Sequence, residues 1–569
     1  MSERPTFMPA RLINLFTPKL LVCLKEGYDL PRGRGDLIAG LTVAIVALPL
    51  AMALGIASGV TPDRGLFTAI VAGFLISFLG GSRFQIGGPT GAFVVVVYNI
   101  VQQHGYDGLV LATLMAGVML LLFGLARFGV VIKYIPYPLV TGFTSGIAVI
   151  IFSSQVKDFL GLRMESVPAE FFEKWVAYGE HIGTTHGPTL AVAAGTLAVI
   201  LVLRRFRPGW PGFLIGVTGA SVLVWALGMP VETIGSRFGG IPSTLPSPQF
   251  PALSWGKVTA LLQPAFTIAF LAGIESLLSA MVADGMTGRR HKSNCELLAQ
   301  GIANIASVLF GGIPATGAIA RTATSIKSGA QTPVAGMLHA VFILLFMLLF
   351  APLASWIPLP SLAAVLMVVA WNMSEAPHFI HLMSAPRSDR AVLLVTFVLT
   401  VMVDLTVAIE VGMVLASILF MRRMAEVTEI GTGIHLIDED AEDGGDDHVG
   451  AIPTTPIPDG VEVFQISGPF FFGVATRLSE VFEQTHKPPR VFILRMRLVP
   501  VIDASGIQAL TEFVRRCRKH GTEVLLSGVQ PQPMQVMGRM GLCHEIGEDN
   551  FVPNIDAALT TARTLAVHP

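Results

Sequence analysis

The sequence is short of charge. Only 14% of its 569 residues are charged, while 52% are hydrophobic; an average globular protein carries about a quarter charged residues. Mean hydropathy is +0.66. So little charge cannot cover a soluble body of this length, so most of the chain is expected in lipid. The net charge of -1 lacks the basic excess that attracts nucleic acid. Cysteine is also scarce. Cys23, Cys295, Cys517 and Cys543 are scattered without metal-ligand spacing, so neither a metal site nor a structural disulfide is expected. There is no nucleophile–base set, Walker sequence or metal cluster, which argues against an enzyme and against a cofactor. No cleavable leader is expected either: the first long apolar run follows Arg32 and Arg34 and is too long for one.

Long hydrophobic runs are what the chain does have. Crossing a bilayer as a helix takes about 20 apolar residues. Spans are expected near 37–58, 64–80, 107–126, 138–159, 188–205, 212–228, 258–283, 294–310 and 333–355, with shorter apolar pieces at 90–103, 315–328 and 359–373. The run 391–424 is too long for one span and should fold as a hairpin near Asp404. That makes 14 segments. Arg83, Arg127, Lys133, Arg204, Arg205, Arg207, Arg289, Arg290, Lys292, Lys327, Arg387 and Arg390 all follow even-numbered segments. The loop 161–187, after an odd one, sets Arg163 and Lys174 against Glu165, Glu170, Glu173 and Glu180. Positive residues stay inside, so both termini are expected in the cytoplasm.

Two stretches interrupt this pattern in the same way. Gly87-Gly88-Pro89-Thr90-Gly91-Ala92 and Gly312-Ile313-Pro314-Ala315-Thr316-Gly317-Ala318 each precede an apolar piece too short to cross alone. Irregular backbone inside a membrane survives only where it is buried in protein or lines a cavity. Paired breaks in corresponding halves point to a midplane binding site. Half-helices starting there would aim free N–H groups and positive dipole ends at one spot, which suits an anion. Thr90 and Thr316 are 226 residues apart by number, so each repeat should hold seven segments. An odd-numbered repeat in one membrane chain must be inverted relative to its copy. Pro49 in the first span and Pro264 at the start of the eighth fit that correspondence.

The pattern changes near the end. Four parts are expected: a basic segment at 1–35, a transport domain at 36–430, a linker at 431–459 and a soluble domain at 460–569. The linker holds Asp438, Glu439, Asp440, Glu442, Asp443, Asp446 and Asp447. Val461–Ile466, Val491–Met496 and Glu523–Val529 read as strands, and Ser505–His520 as a helix, giving a small α/β domain.

Gly35-Asp36-Leu37-Ile38-Ala39-Gly40-Leu41-Thr42-Val43-Ala44, followed by Leu48-Pro49, resembles the opening of the sulfate permease (SulP) family of anion transporters. Gly468-Pro469-Phe470-Phe471-Phe472 and Ile502-Asp503-Ala504-Ser505-Gly506 resemble the hallmarks of that family's C-terminal STAS domain. The resemblance covers nearly the whole chain. It implies an α-helical membrane protein of 14 transmembrane segments in two inverted seven-segment repeats, with a cytoplasmic α/β STAS domain. A core domain would move against a gate domain in an elevator-like cycle, and the protein would be a homodimer in a bacterial inner membrane. Met52-Ala53-Leu54, Arg127-Phe128-Gly129, Asp284-Gly285-Met286-Thr287-Gly288 and Trp371-Asn372-Met373-Ser374-Glu375 resemble a dicarboxylate-carrying branch. On that resemblance alone the leading substrates are four-carbon dicarboxylates (succinate, fumarate, malate, aspartate). A sulfate or bicarbonate transporter of the same fold is the alternative, and an uncoupled channel or STAS-linked sensor a third.

The expected substrate site is Thr90, Gly91 and Ala92 with Gly317, Ala318, Ile319, Ala320 and Arg321. A cation one turn into a half-helix is costly and usually functional, and the resemblance places an arginine there beside the anion. Many animal members carry serine where Ala320 stands, so backbone N–H groups should do more of the binding here. Glu275, mid-span, is the expected proton carrier, because lipid disfavours its charged form. Leu50, Leu54 and Ser279 are the expected neighbours. Sodium-coupled members present a threonine where Ile319 offers no side-chain oxygen, and a hard cation needs oxygen; a proton is therefore the expected coupling ion. A permanent Glu275–Arg321 ion pair is the plainer alternative. His104 and His339 are given no role. In the STAS turn Ala504 replaces the serine that soluble relatives phosphorylate, and Ser505 is expected to cap the helix.

Overall fold

The computed structural model describes residues 15–129, 135–164, 167–168, 170–251, 255–403, 405–427, 429–432, 457–471 and 488–567. Arg4, Arg11, Lys133, Glu165, Asp404, Phe472 and the acidic residues from Asp438 to Asp447 lie outside them.

The helical segments follow the apolar runs. In order they are Leu30–Ala57, Pro62–Leu79, the two arms of Gly91–Leu125, Tyr137–Leu160, Gly187–Phe206, Gly212–Leu227, Leu262–Thr287, Ser293–Leu309, Ile319–Lys327, Val334–Ala354, Leu359–Met373, Arg387–Met402 and Leu405–Val427. We number them segments 1 to 14. Segments 3 and 4 divide at Gly105, whose φ of 69° and ψ of -178° bend the helix. Several segments begin on proline in the first turn, where its missing N–H costs nothing. Segments 1–4 pack mainly with 8–11, segment 5 packs mainly with 12 and 13, and segment 6 with 7 and 12. The two bundles are the core and gate arrangement that inverted repeats produce. Small residues let backbones meet: a Cβ on Gly65 would stand 2.0 Å from the Ala51 carbonyl oxygen.

Buried carboxylates close the segment ends. Asp36, fully buried, accepts from the backbone N–H of Gln331 at 2.8 Å and of Thr332 at 3.1 Å, just before segment 11. Glu296, also fully buried, accepts from the N–H of Gly81 at 2.8 Å and of Ser82 at 3.1 Å, just past segment 2. Each satisfies donors that lipid would leave orphaned.

The soluble unit is a five-stranded sheet: β3 (Glu429–Thr432), β4 (Val461–Ser467), β5 (Val491–Leu498), β6 (Glu523–Ser527) and β7 (Phe551–Val552), in that order. β3 is antiparallel and the others parallel. The boundary expected at residue 430 thus falls inside a strand of the soluble sheet, and residues 431 and 432 belong to it rather than to a linker. Helix Ala504–Lys519 is capped by Asp503, which accepts from the Gly506 N–H at 2.7 Å. Ser505, the expected cap, lies inside the helix. The extended backbone of Asp503 (φ -106°, ψ -179°) points its carboxylate back at the open N–H groups.

Candidate functional site

Each break spends its few residues on extended backbone. Gly87–Gly88 (β1) and Thr316–Gly317 (β2) pair antiparallel, Gly87 opposite Gly317 and Gly88 opposite Thr316. The ladder is buried, so its flanking polar groups need partners. Around the second break, Ile313 N donates to Thr68 Oγ1 at 2.7 Å, and Ser307 Oγ donates to the Ile313 carbonyl at 2.7 Å. Ala315 N donates to Asn304 Oδ1 at 2.8 Å, and Asn304 Nδ2 donates to the Ala315 carbonyl at 2.8 Å. Tyr106 Oη donates to the Gly312 carbonyl at 2.7 Å. The first break is tied more lightly. Ser77 Oγ donates to the Gln85 carbonyl at 3.2 Å, Ile86 N donates to Thr322 Oγ1 at 3.1 Å, and Ala318 N donates to the Ile86 carbonyl at 2.8 Å.

The half-helices start where this ladder ends. Segment 3 begins at Gly91 after Thr90, and segment 10 at Ile319 after Ala318. No side chain among the described residues caps either one; Phe93 N donates to the Thr90 carbonyl, and the other N–H groups at the two helix starts can turn to a ligand. Ile319 and Ala320 are exposed at the mouth, whereas Gly91, Ala92, Gly317 and Ala318 are buried.

Arg321 is 3% exposed. Its Nη2 donates to the Pro89 carbonyl at 3.2 Å, while Nη1 has no hydrogen-bond partner among the described residues. Among the described residues no acid pairs with it. The permanent Glu275–Arg321 pair is therefore absent among them. Glu275 is 8% exposed on segment 8. The Thr90 hydroxyl lies beside its carboxyl, short of a well-formed hydrogen bond. Thr316 Oγ1 fixes the same stretch of segment 8 by donating to the Ala272 carbonyl at 2.9 Å. Ser279 lies beside the second half-helix: its hydroxyl donates to Thr322 Oγ1 at 3.1 Å and ties segment 8 to segment 10. Leu50 is half-buried and Leu54 buried on segment 1.

The structure adds residues that pattern reading passed over. Met373, at the end of segment 12, packs on the first half-helix, where a Cβ on Gly91 would stand 2.3 Å from its Sδ. Glu375 follows in the left-handed region at φ 42°. Both belong to the Trp371–Glu375 motif, singled out in the sequence only as a resemblance. Gln85 closes over the ladder, its Nε2 donating to Ser276 Oγ at 2.7 Å.

Two half-helices thus start beside a buried guanidinium that has no ion-pair partner among the described residues, within a helical membrane-protein fold. The sequence model of the sulfate permease family matches residues 34–396, and that of the STAS domain matches residues 453–558. The chain belongs to the sulfate permease family. It is 43% identical to YvdB of Bacillus subtilis (strain 168), a protein named for sulfate transport, over 93% of this chain and 98% of the relative. It is 29% identical to the bicarbonate transporter BicA of Picosynechococcus sp., over 94% and 95%. Among solved structures it resembles the murine anion transporter Slc26a9 in its inward-facing state. That TM-score is 0.86 at 18% identity, covering 99% of this chain and 96% of the other, which shows the fold. The transmembrane domain of a cyanobacterial BicA matches with a TM-score of 0.60 at 29% identity, over 68% and 98%.

Proposed function

We propose that this protein is a secondary active transporter that takes up a small oxyanion together with a proton. Its cycle is elevator-like, and it works as a homodimer in a bacterial inner membrane with both termini cytoplasmic. The observation that carries this reading is Arg321: a buried guanidinium that, among the described residues, has Nη1 unpartnered and no ion-paired acid. A buried unpaired charge is strongly unfavourable. A bound anion relieves it, and the open N–H groups of two half-helices complete the cradle. Thr90, Gly91, Ala92, Gly317, Ala318, Ile319 and Ala320 line that cradle. Glu275, which forms no ion pair with Arg321 among the described residues, carries the proton. Protonation lets a dianion cross with less net charge.

Sulfate is the substrate that the relatives favour, since YvdB is named for it at 43% identity. A four-carbon dicarboxylate is the second reading. It rests on the resemblance of the Trp371–Glu375 and Asp284–Gly288 motifs to the bacterial dicarboxylic acid transporter DauA, and Met373 of that motif lies against Gly91. The two share a dianionic substrate; bicarbonate is the monoanionic rival.

The test is uptake of labelled sulfate, fumarate and bicarbonate into proteoliposomes, with and without an inward proton gradient. Saturable, gradient-driven uptake is expected. Flux that grows without saturating makes the protein a channel. Arg321→Ala should raise KM about 10- to 100-fold, the weight of hydrogen bonds to a charged group. Glu275→Gln should keep anion binding and lose the acceleration by external acid. Equal pH dependence in wild type and Glu275→Gln removes Glu275 from the coupling.

A further inference from the structure

Arg321 shares its surroundings with a second unsatisfied side chain. His339 of segment 11 is fully buried, and neither ring nitrogen has a hydrogen-bond partner among the described residues. Burying an imidazole this way is costly unless something polar meets it. Two glycines locate the ring relative to the guanidinium. A Cβ on Gly88 would stand 2.4 Å from Arg321 Nη1 and 3.6 Å from the Cα of Ala69. A Cβ on Gly73 would stand 3.1 Å from the Gly87 carbonyl oxygen and 3.8 Å from His339 Nδ1. Ala69 and Gly73 lie one turn apart on one face of segment 2. Gly87 and Gly88 are adjacent in β1. Ring and guanidinium therefore flank the same two strand residues over the same helix face.

We propose that His339 is a positioning residue of the anion site: one ring nitrogen accepts, through a single bound water, from one of the two N–H groups of Arg321 Nη1, which holds the guanidinium against Gly88 and leaves the other N–H for the anion. The chemistry is complementary. A guanidinium only donates, and a neutral imidazole keeps one acceptor nitrogen. A carboxylate in this place would pair with the arginine and cancel its charge. A neutral acceptor orients the fork and leaves the charge for the anion. Buried waters commonly bridge polar groups that have no other partner.

This inference rests on reading Arg321 as the anion ligand, and the experiment separates the two. The full-length protein is reconstituted, and KM and kcat are measured with labelled sulfate, or with labelled fumarate or bicarbonate where that is the anion that saturates. The variants are Arg321→Lys, His339→Leu, His339→Asn and the Arg321→Lys/His339→Leu pair, each checked by thermal unfolding. His339→Met replaces the leucine variant where that one does not fold. His339→Leu should raise KM about fivefold at nearly constant kcat, and His339→Asn, which keeps an acceptor, should recover most of it. In the lysine background, which has no Nη1, the same change should add less than about twofold. An unchanged KM in folded His339→Leu overturns the inference and leaves the arginine reading intact. Equal losses in both backgrounds overturn it as well, because a packing role needs no guanidinium. An Arg321→Lys KM equal to wild type overturns the arginine reading itself.

Discussion

Around the first break the chain is Gly87-Gly88-Pro89, with no side chain larger than a proline ring. Across the ladder from Gly88 stands Thr316, and one turn into the second half-helix stands Arg321. The backbones answer each other across a two-residue antiparallel ladder, yet the side chains do not. The second break carries the charge and is held by Thr68, Asn304, Ser307 and Tyr106. The first gives room, and Gly88 lets the guanidinium lie against bare backbone. The difference teaches that inversion of the backbone sets where the site is, while unequal side chains set what each half contributes. Two equivalent arginines would repel across the ladder; one arginine facing glycine avoids this.

Making the halves more alike should do the most damage. Gly88 has φ 151°, a region that side chains rarely adopt, and its Cβ would meet Arg321 Nη1 at 2.4 Å. Gly88→Ala must therefore strain the strand or displace the guanidinium. Strain of this kind costs about 1–3 kcal/mol. If the arginine moves, KM should rise about 10- to 100-fold, as in Arg321→Ala, because the same charged hydrogen bonds are lost. Uptake kinetics and thermal unfolding of Gly88→Ala check this. A wild-type KM would show that Arg321 does not need the glycine.

Loosening the better-held half should cost stability before transport. Asn304 answers both the N–H and the carbonyl of Ala315. Asn304→Leu leaves both unpaired in a dry interior, at about 1–3 kcal/mol for each group. The expected outcome is a lower unfolding temperature with KM changed only a few-fold. Ser77→Ala, which removes one 3.2 Å bond at the first break, should cost less. Equal losses would mean that the first break depends on the Ser77 bond as heavily as the second depends on Asn304.

Much of this was legible in the sequence because lipid imposes simple rules. Long apolar runs gave the segments within a few residues, and glycine–proline interruptions marked the breaks, since a membrane tolerates them only with compensation. Arg321 and Glu275 stood out because ionisable residues inside spans are rare. What stayed hidden depends on contacts between distant positions. Asp36 meets Gln331 and Thr332 near the other end of the domain, and Glu296 meets Gly81; nothing local announces either pairing. Met373 reads as one more apolar helix residue until its sulfur is seen against Gly91. β3 follows segment 14 closely, and its role as a strand comes from pairing with β4 across the acidic stretch. The Asp503 cap was misread for a local reason: Asp and Ser both cap well, and backbone angles decide between them.

The smallest effect should come from Thr90, and it tests whether the halves divide labour as well as charge. Thr90 precedes segment 3 in extended conformation (φ -125°, ψ 158°), where a threonine would ordinarily cap the helix. It does not cap: its hydroxyl lies beside Glu275 instead. A hydroxyl can donate to a carboxylate and accept from a carboxylic acid, so it can stay with Glu275 through a proton cycle. The first break would then serve the proton and the second the anion. Thr90→Val removes the hydroxyl at nearly constant size. Anion KM at the pH optimum should change by less than about threefold, within the weight of one neutral hydrogen bond, while the dependence of uptake rate on external pH should shift. The shift should vanish when Thr90→Val is made together with Glu275→Gln, because only the titrating carboxyl transmits it. Uptake against external pH in the four proteins decides the matter. A pH profile that moves equally with and without Glu275 would place the Thr90 effect on the anion and undo the division between the two breaks.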